Sequence, residues 1–435
     1  MDDLDAAPAA GRRPVQPPAA TVPTEVRGRL DRRGDLARGE LRGAAAGLDV
    51  RRHLWWLVAV VLVALNLRTP IASVPPVAGP VGRDLHLTAA QTGLLTTLPV
   101  VCMGLFAPVG ALASRRWGRG RVLGAAVALI LAGTALRLLP AALWPATVLA
   151  GIGIAVAGAL LPSLVRARFP RWVGPVTGLY TAGLIGGAML AAALTEPLRQ
   201  ALHGSWPAAL AVWALPAALA LLAWVPVARG AASSEPAAAS EPAPVAAPWR
   251  ERSAWYAALF MGGQSLMYYG ILAWLAPRYT AVGVPAATAG LLLGLFSATQ
   301  LVSALALPVL AHRRGGLSLL IALTVATSVV MLVLIAVVPS GAPYLWTALL
   351  GLGVGGQFAL ALTVLGSLGG GPAGSAAVSG MAFFVGYLLA AAGPVAAGWL
   401  RDRTGGYEVT FLGLAAVGTA TLVAGVATGR AASSA

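Results

Sequence analysis

The chain contains no lysine, one cysteine and only 15 acidic residues among 435. The lone Cys102 excludes an internal disulfide and leaves the redox compartment open. His53, His86, His203 and His312 are far apart, at the ends of apolar stretches or in loops, so no metal-ligand spacing exists and no cofactor is expected. No Walker A sequence is present, which excludes a pump of the P-loop kind. No clustered nucleophile or acid–base pair falls within an apolar stretch, so a membrane-embedded enzyme is not expected. All the acidic residues lie in tails, loops or the ends of apolar stretches. Cation export through a buried carboxylate relay is therefore disfavoured. Protons remain a candidate coupling ion only if the substrate or an arginine-linked site balances their charge.

What the chain has is apolar length. It is 58% hydrophobic and 10% charged, with a mean hydropathy of +0.79, whereas a soluble domain carries roughly a quarter charged residues. Twelve apolar stretches run at 54–78, 89–112, 121–140, 144–165, 174–196, 206–227, 254–276, 286–310, 317–338, 343–367, 375–400 and 407–428. Each is near the ~20 residues that cross a hydrocarbon core. The reading is an all-α membrane protein with twelve transmembrane helices.

The net charge of +15 would suggest nucleic acid on a soluble protein. Here the arginines flank the apolar spans, no nucleic-acid motif accompanies them, and the implied partner is the lipid bilayer. With the N-terminus placed in the cytoplasm, inner segments hold 23 arginines and outer segments five, with Arg68 and Arg137 inside spans. The positive-inside rule then puts both termini in the cytoplasm, as an even number of spans requires. The chain divides into a disordered tail at 1–53, a six-helix bundle at 54–227, a Pro/Ala/Ser/Glu-rich linker at 228–253, a second bundle at 254–428 and a short tail at 429–435. The tail lacks the short apolar core and cleavage site of a signal peptide. The halves echo each other: Gly93-Leu-Leu matches Gly290-Leu-Leu, and Arg115-Arg116 matches Arg313-Arg314. Two similar halves joined by a linker are the pattern of a carrier that rocks about a central site.

Arg68 is the outstanding residue. It lies 16 residues from both Arg52 and Asp84, which puts it about 20 Å or more from the inner helix end. A charge at that depth costs at least about 2.5 kcal/mol, so it must face a cavity or a partner. A guanidinium there would anchor an anion; the competing role is bonding to carbonyls freed by Pro70, Pro75 and Pro76. Asn66 is two residues away and points elsewhere on a regular helix, so which of the two meets a cavity stays open. On the seventh span Gln264 and Tyr268 share a face, with Trp274 near it; on the tenth Gln357 lies in a glycine-rich run. Each is either a substrate-binding residue or a helix–helix hydrogen-bonding residue. Gln300 and Tyr387 are weaker candidates. Arg137 lies close to Pro140 and Trp144, where snorkelling to an interface accounts for it.

The plan resembles the major facilitator superfamily, and Gly110-Ala-Leu-Ala-Ser-Arg115-Arg116-Trp-Gly118-Arg-Gly-Arg121 resembles its second-to-third loop motif, with Ser114 near the place of the usual acid. Ala64-Leu-Asn66-Leu-Arg68-Thr-Pro70, Leu95-Thr-Thr-Leu-Pro99, Gly104-Leu-Phe-Ala-Pro108, Leu160-Leu-Pro162, Gly262-Gly-Gln264-Ser265 with Tyr268-Tyr269, and Trp274-Leu-Ala-Pro277 resemble the cyanate and 2-nitroimidazole permease branch. Gly158 stands where that pattern has an asparagine. The resemblance implies two pseudo-symmetric bundles, a monomeric carrier of the plasma membrane, a small-molecule substrate of anionic or small polar nitrogen type, and a gating role for Gly110, Arg115, Arg116, Gly118 and Arg121. The alternative it leaves is an exporter of drugs or other amphiphiles.

Overall fold

The computed structural model describes residues 54–231, 248–314, 316–369 and 371–433. The expected tail at 1–53 and the middle of the linker, 232–247, lie outside the described residues. Twelve long helical segments account for nearly everything else: α1 Leu54–Asp84, α2 Ala89–Trp117, α3 Arg119–Leu136, α4 Leu143–Arg168, α5 Val173–Ala201 and α6 Trp206–Ala228; then α7 Arg252–Ala281, α8 Ala286–Arg314, α9 Leu317–Val337, α10 Pro343–Ser367, α11 Pro372–Thr404 and α12 Glu408–Ser433. All but α7 are apolar enough over their length to cross a bilayer on that criterion alone. The exception has 30 residues, which span roughly 45 Å. Its apolar run is diluted by Gln264, Ser265, Tyr268 and Tyr269, so it is the most polar helix because of what it presents to its neighbours. Several helices run longer than the expected spans.

Helices α2, α3, α4 and α6 pack among themselves, as do α7 to α12. Two helix pairs tie the halves together: α2 with α11, and α5 with α8. The repeated glycines sit at these two joints. A Cβ on Gly93 would lie 2.5 Å from Pro394 O on α11, and one on Gly290 would lie 2.8 Å from Ala192 O on α5. Only glycine permits either approach, which accounts for the Gly-Leu-Leu echo.

The same pairs splay with distance from these joints. The nearest atom to a Cβ on Gly104, further along α2, is 3.6 Å away on α11, and a Cβ on Gly178 of α5 comes no closer than 4.0 Å to Leu305 on α8. Gly174 and Gly380, further still along α5 and α11, have nothing within 4 Å. The closest approaches of both pairs therefore lie toward the face carrying the α1–α2 loop, here the far face, and the looser contacts toward the face carrying the α2–α3 loop, here the tail-side face.

α1 is not a continuous helix. Its regular turns stop at Asn66, resume for Thr69–Ala72, tighten to a 3₁₀ turn at Pro75–Val77 and continue as Ala78–Asp84. Pro70, Pro75 and Pro76 withhold backbone donors and crowd the preceding turns. The break falls at the depth of Arg68, which occupies the N-cap of the short turn.

Candidate substrate site

At the break, Arg68 is 9% exposed and reaches across to α7. Its Nη1 donates to the Tyr269 hydroxyl. Its guanidinium carbon lies 5.0 Å from the ring centre of Tyr268 and 5.1 Å from that of Tyr269. Consecutive residues on a helix are about 100° apart, so the two rings form adjacent walls with the cation in the angle between them. Tyr268 stacks in turn on Phe296 of α8, centroids 6.2 Å apart. Tyr387 of α11 lies within electrostatic range of the guanidinium, and Met103 Sδ of α2 lies 3.6 Å from the Tyr269 hydroxyl. Both bundles thus contribute to one cluster around Arg68.

No carboxylate pairs with Arg68 among the described residues. Glu196 pairs with Arg199, and Asp402 with Arg401. Phenols and ring faces hold the charge by cation–π attraction, and only Nη1 of the guanidinium makes a hydrogen bond to the protein. An acceptor with one planar or linear negative group could take the other donors in a fork while lying against tyrosine faces.

The other sequence candidates are placed elsewhere. Asn66 is fully buried and turns its amide back to Leu62 O at 2.8 Å, with Oδ1 unpaired. Gln264 bonds within its own helix, to Ser265 Oγ at 2.6 Å and Met261 O at 3.2 Å. Gln357 is buried against α9, donating to Ser328 Oγ and Thr324 O. Trp274 donates to Pro394 O near the far face and helps line a cleft of about 420 Å³ there, together with Arg83, Glu196, Arg199 and Arg401. In the loop motif, Gly118 takes a left-handed φ of 83° and ends α2. Gly110 packs on Val156 of α4, and Arg115, Arg116 and Arg121 are exposed. Ser114 bonds its own helix at Ala111 O. Sequence reasoning passed over Tyr269, although Tyr268-Tyr269 was visible as a pair, and ranked Tyr387 low. The signal was an aromatic pair on the least apolar helix.

Arg137 corrects an expectation. It does not snorkel: it is fully buried, with Nη1 donating to Pro70 O at 2.6 Å. The broken first helix runs beside it, which its proximity to Pro140 in sequence could not reveal.

The far face carries a seal between the bundles. Asp402 on α11 accepts from Ala89 N at 2.9 Å and Ala90 N at 2.8 Å, the first backbone donors of α2. Thr97 Oγ1 donates to Ala391 O at 2.8 Å. Thr88 and Gln91 form a capping box at the same helix start, so side chains of both bundles meet its free donors.

A fold of two helical bundles packed around a shared polar cluster is that of a membrane transporter. The chain belongs to the Major Facilitator Superfamily, whose family model matches residues 56–394. It is 34% identical to the 2-nitroimidazole transporter of Escherichia coli (strain K12), over 89% of this chain and 98% of that protein. It is 33% identical to the uncharacterized transporter YycB of Bacillus subtilis (strain 168), over 87% and 94%. It is 32% identical to the cyanate transport protein CynX of Escherichia coli (strain K12), over 81% and 91%. Among solved structures, a bacterial homologue of the human lysosomal transporter Spinster, inward-facing and occupied, superposes with a TM-score of 0.69 at 16% identity, covering 88% of this chain and 97% of that one. These place the chain among multi-pass membrane transporters and not among enzymes.

Proposed function

We propose that the protein carries a small anion or small polar nitrogen compound, cyanate-like or nitroimidazole-like, across the plasma membrane by alternating access. The observation that carries this reading is Arg68: a cation at mid-membrane depth, with no carboxylate partner among the described residues and phenols as its neighbours. A bound anion would be its counter-charge. The relatives named for 2-nitroimidazole and cyanate transport support a substrate of that size and type.

Substrate contacts fall to Arg68, Tyr268, Tyr269 and Tyr387. The bundles at 54–227 and 254–428 are the moving bodies. With the termini in the cytoplasm, as the arginine distribution indicates, the splayed face opens inward. Glu196 is a poor proton relay, since Arg199 and Gln200 already hold its carboxylate. The working form is a monomer.

The test is uptake of [¹⁴C]cyanate and of 2-nitroimidazole by proteoliposomes containing the purified carrier. Saturable uptake of either, blocked by the other, supports the reading. Uptake of neither, with inhibition by lipophilic cations of some other flux, would replace it with amphiphile export.

A further inference from the structure

We propose that Arg137 is a positioning residue for Arg68, holding the broken turn of α1 from behind. The proposal rests on the reading of Arg68 as the ligand-binding cation.

The starting point is a missing backbone donor. In a continuous helix Pro70 O would accept from Val74 N, four residues on. Val74 N bonds Ile71 O instead, at 3.4 Å, because the chain tightens into the Pro75–Val77 turn. Pro70 O is thereby freed in a region without bulk water, where an unmet carbonyl is costly. Ser73 Oγ approaches it at 3.3 Å, a marginal contact. Arg137 Nη1 meets it at 2.6 Å.

Pro70 belongs to the Thr69–Ala72 turn, and Arg68 is the N-cap of that turn. Whatever fixes Pro70 O fixes the turn from which the Arg68 side chain departs. Arg137 is itself fixed: it is the C-cap of α3, its own N–H bonded to Ala135 O and Thr134 O, and it is fully buried. Gly133, one turn earlier, lets α3 press onto α4, with a Cβ there only 2.5 Å from Ala150 N. The brace therefore stands on a rigid helix pair.

The two arginines differ in what they ask of their side chain. Arg68 meets two ring faces and a hydroxyl and keeps donors in reserve, a task for a planar fork. Arg137 makes one bond to one carbonyl, and its Nε and Nη2 have no hydrogen-bond partner. A lysine ammonium can make one such bond. The inference thus predicts opposite responses to the same exchange: lysine replaces arginine at 137 and not at 68.

The experiment uses full-length protein with 3-fluorotyrosine at position 269, whose ¹⁹F resonance reports the Arg68–Tyr269 contact without any substrate. R68A sets the resonance of the lost contact. In R137M the resonance moves toward that position; in R137K it stays with the wild type. In proteoliposomes with 2-nitroimidazole as probe, R137M raises KM about tenfold with little change in maximal rate, while R137K restores KM. A wild-type resonance in folded R137M overturns the proposal, as does folded R137K with the resonance of R68A. Should R137M not accumulate, the lysine variant alone decides. If the wild type fails to transport the probe, the carrier reading fails, while the fluorine shifts still judge the brace.

Discussion

Arg68 and Arg137 have the same sequence signature, an arginine in an apolar span, and the structure puts them in different surroundings: aromatic rings and a hydroxyl for one, a freed carbonyl for the other. If Arg68 is the anchor, Arg68→Ala abolishes uptake while the protein still inserts, and Arg68→Lys stays impaired because an ammonium has no fork. Flux assays normalised to the amount of carrier in the membrane check both. Tyr269→Phe keeps the ring and removes the hydroxyl; affinity should fall about three- to tenfold, the usual worth of one such hydrogen bond, read as KM. The place of Arg68 midway along an apolar stretch was legible from counting residues to the nearest charges. Its partner was not: choosing Tyr268 over Tyr269 followed from ideal helix phase relative to Gln264, and Arg68 lies in the angle between both rings. Gln264 and Gln357 were ambiguous for a physical reason. A polar side chain in a membrane can be met by its own helix, a neighbour or a cavity, and sequence does not distinguish these.

At the scale of helices, the far-face seal combines close packing with a charge at a helix start. Asp402 accepts from the first two donors of α2 in the other bundle, where a carboxylate also meets the positive end of the helix. Asp402→Asn removes that charge. It should shift the equilibrium toward opening at this face by a few-fold, since such contacts are worth about 0.3–1 kcal/mol. Distances between spin labels across the α2–α11 pair would show the longer population growing. Gly93→Ala attacks the same joint sterically: a Cβ 2.5 Å from Pro394 O cannot be accommodated without backbone movement, so the pair should be held apart and transport slowed. The Gly-Leu-Leu echo was readable as a repeat, but its use as a contact was not. Sequence similarity shows that two positions are equivalent and leaves open what each one touches. The α2–α3 loop motif was readable too, yet Arg115, Arg116 and Arg121 are exposed here, which its sequence does not reveal.

For the whole molecule, the orientation proposed from arginine placement can be tested because the chain has a single cysteine. Twelve spans were legible because hydrocarbon thickness imposes a length that any sequence must satisfy. The conformation was not, because one sequence can populate more than one arrangement of the same helices. Cys102 is buried, so C102A supplies a silent background. Single cysteines at Arg116, in the last turn of α2, and at Arg403, in the last turn of α11, fall on exposed positions expected on opposite faces. In intact cells a membrane-impermeant maleimide should label the Arg403 site directly and the Arg116 site only after permeabilisation; the reverse pattern would turn the protein over. A third cysteine at Gly380, where a side chain meets nothing within 4 Å, samples the tail-side half of α11. If the bundles rock about Arg68 and close there as the far face opens, its labelling by a permeant maleimide should slow in the Gly93-intact carrier carrying Asp402→Asn. Unchanged labelling would mean that the two faces open independently, which a rocking mechanism does not allow.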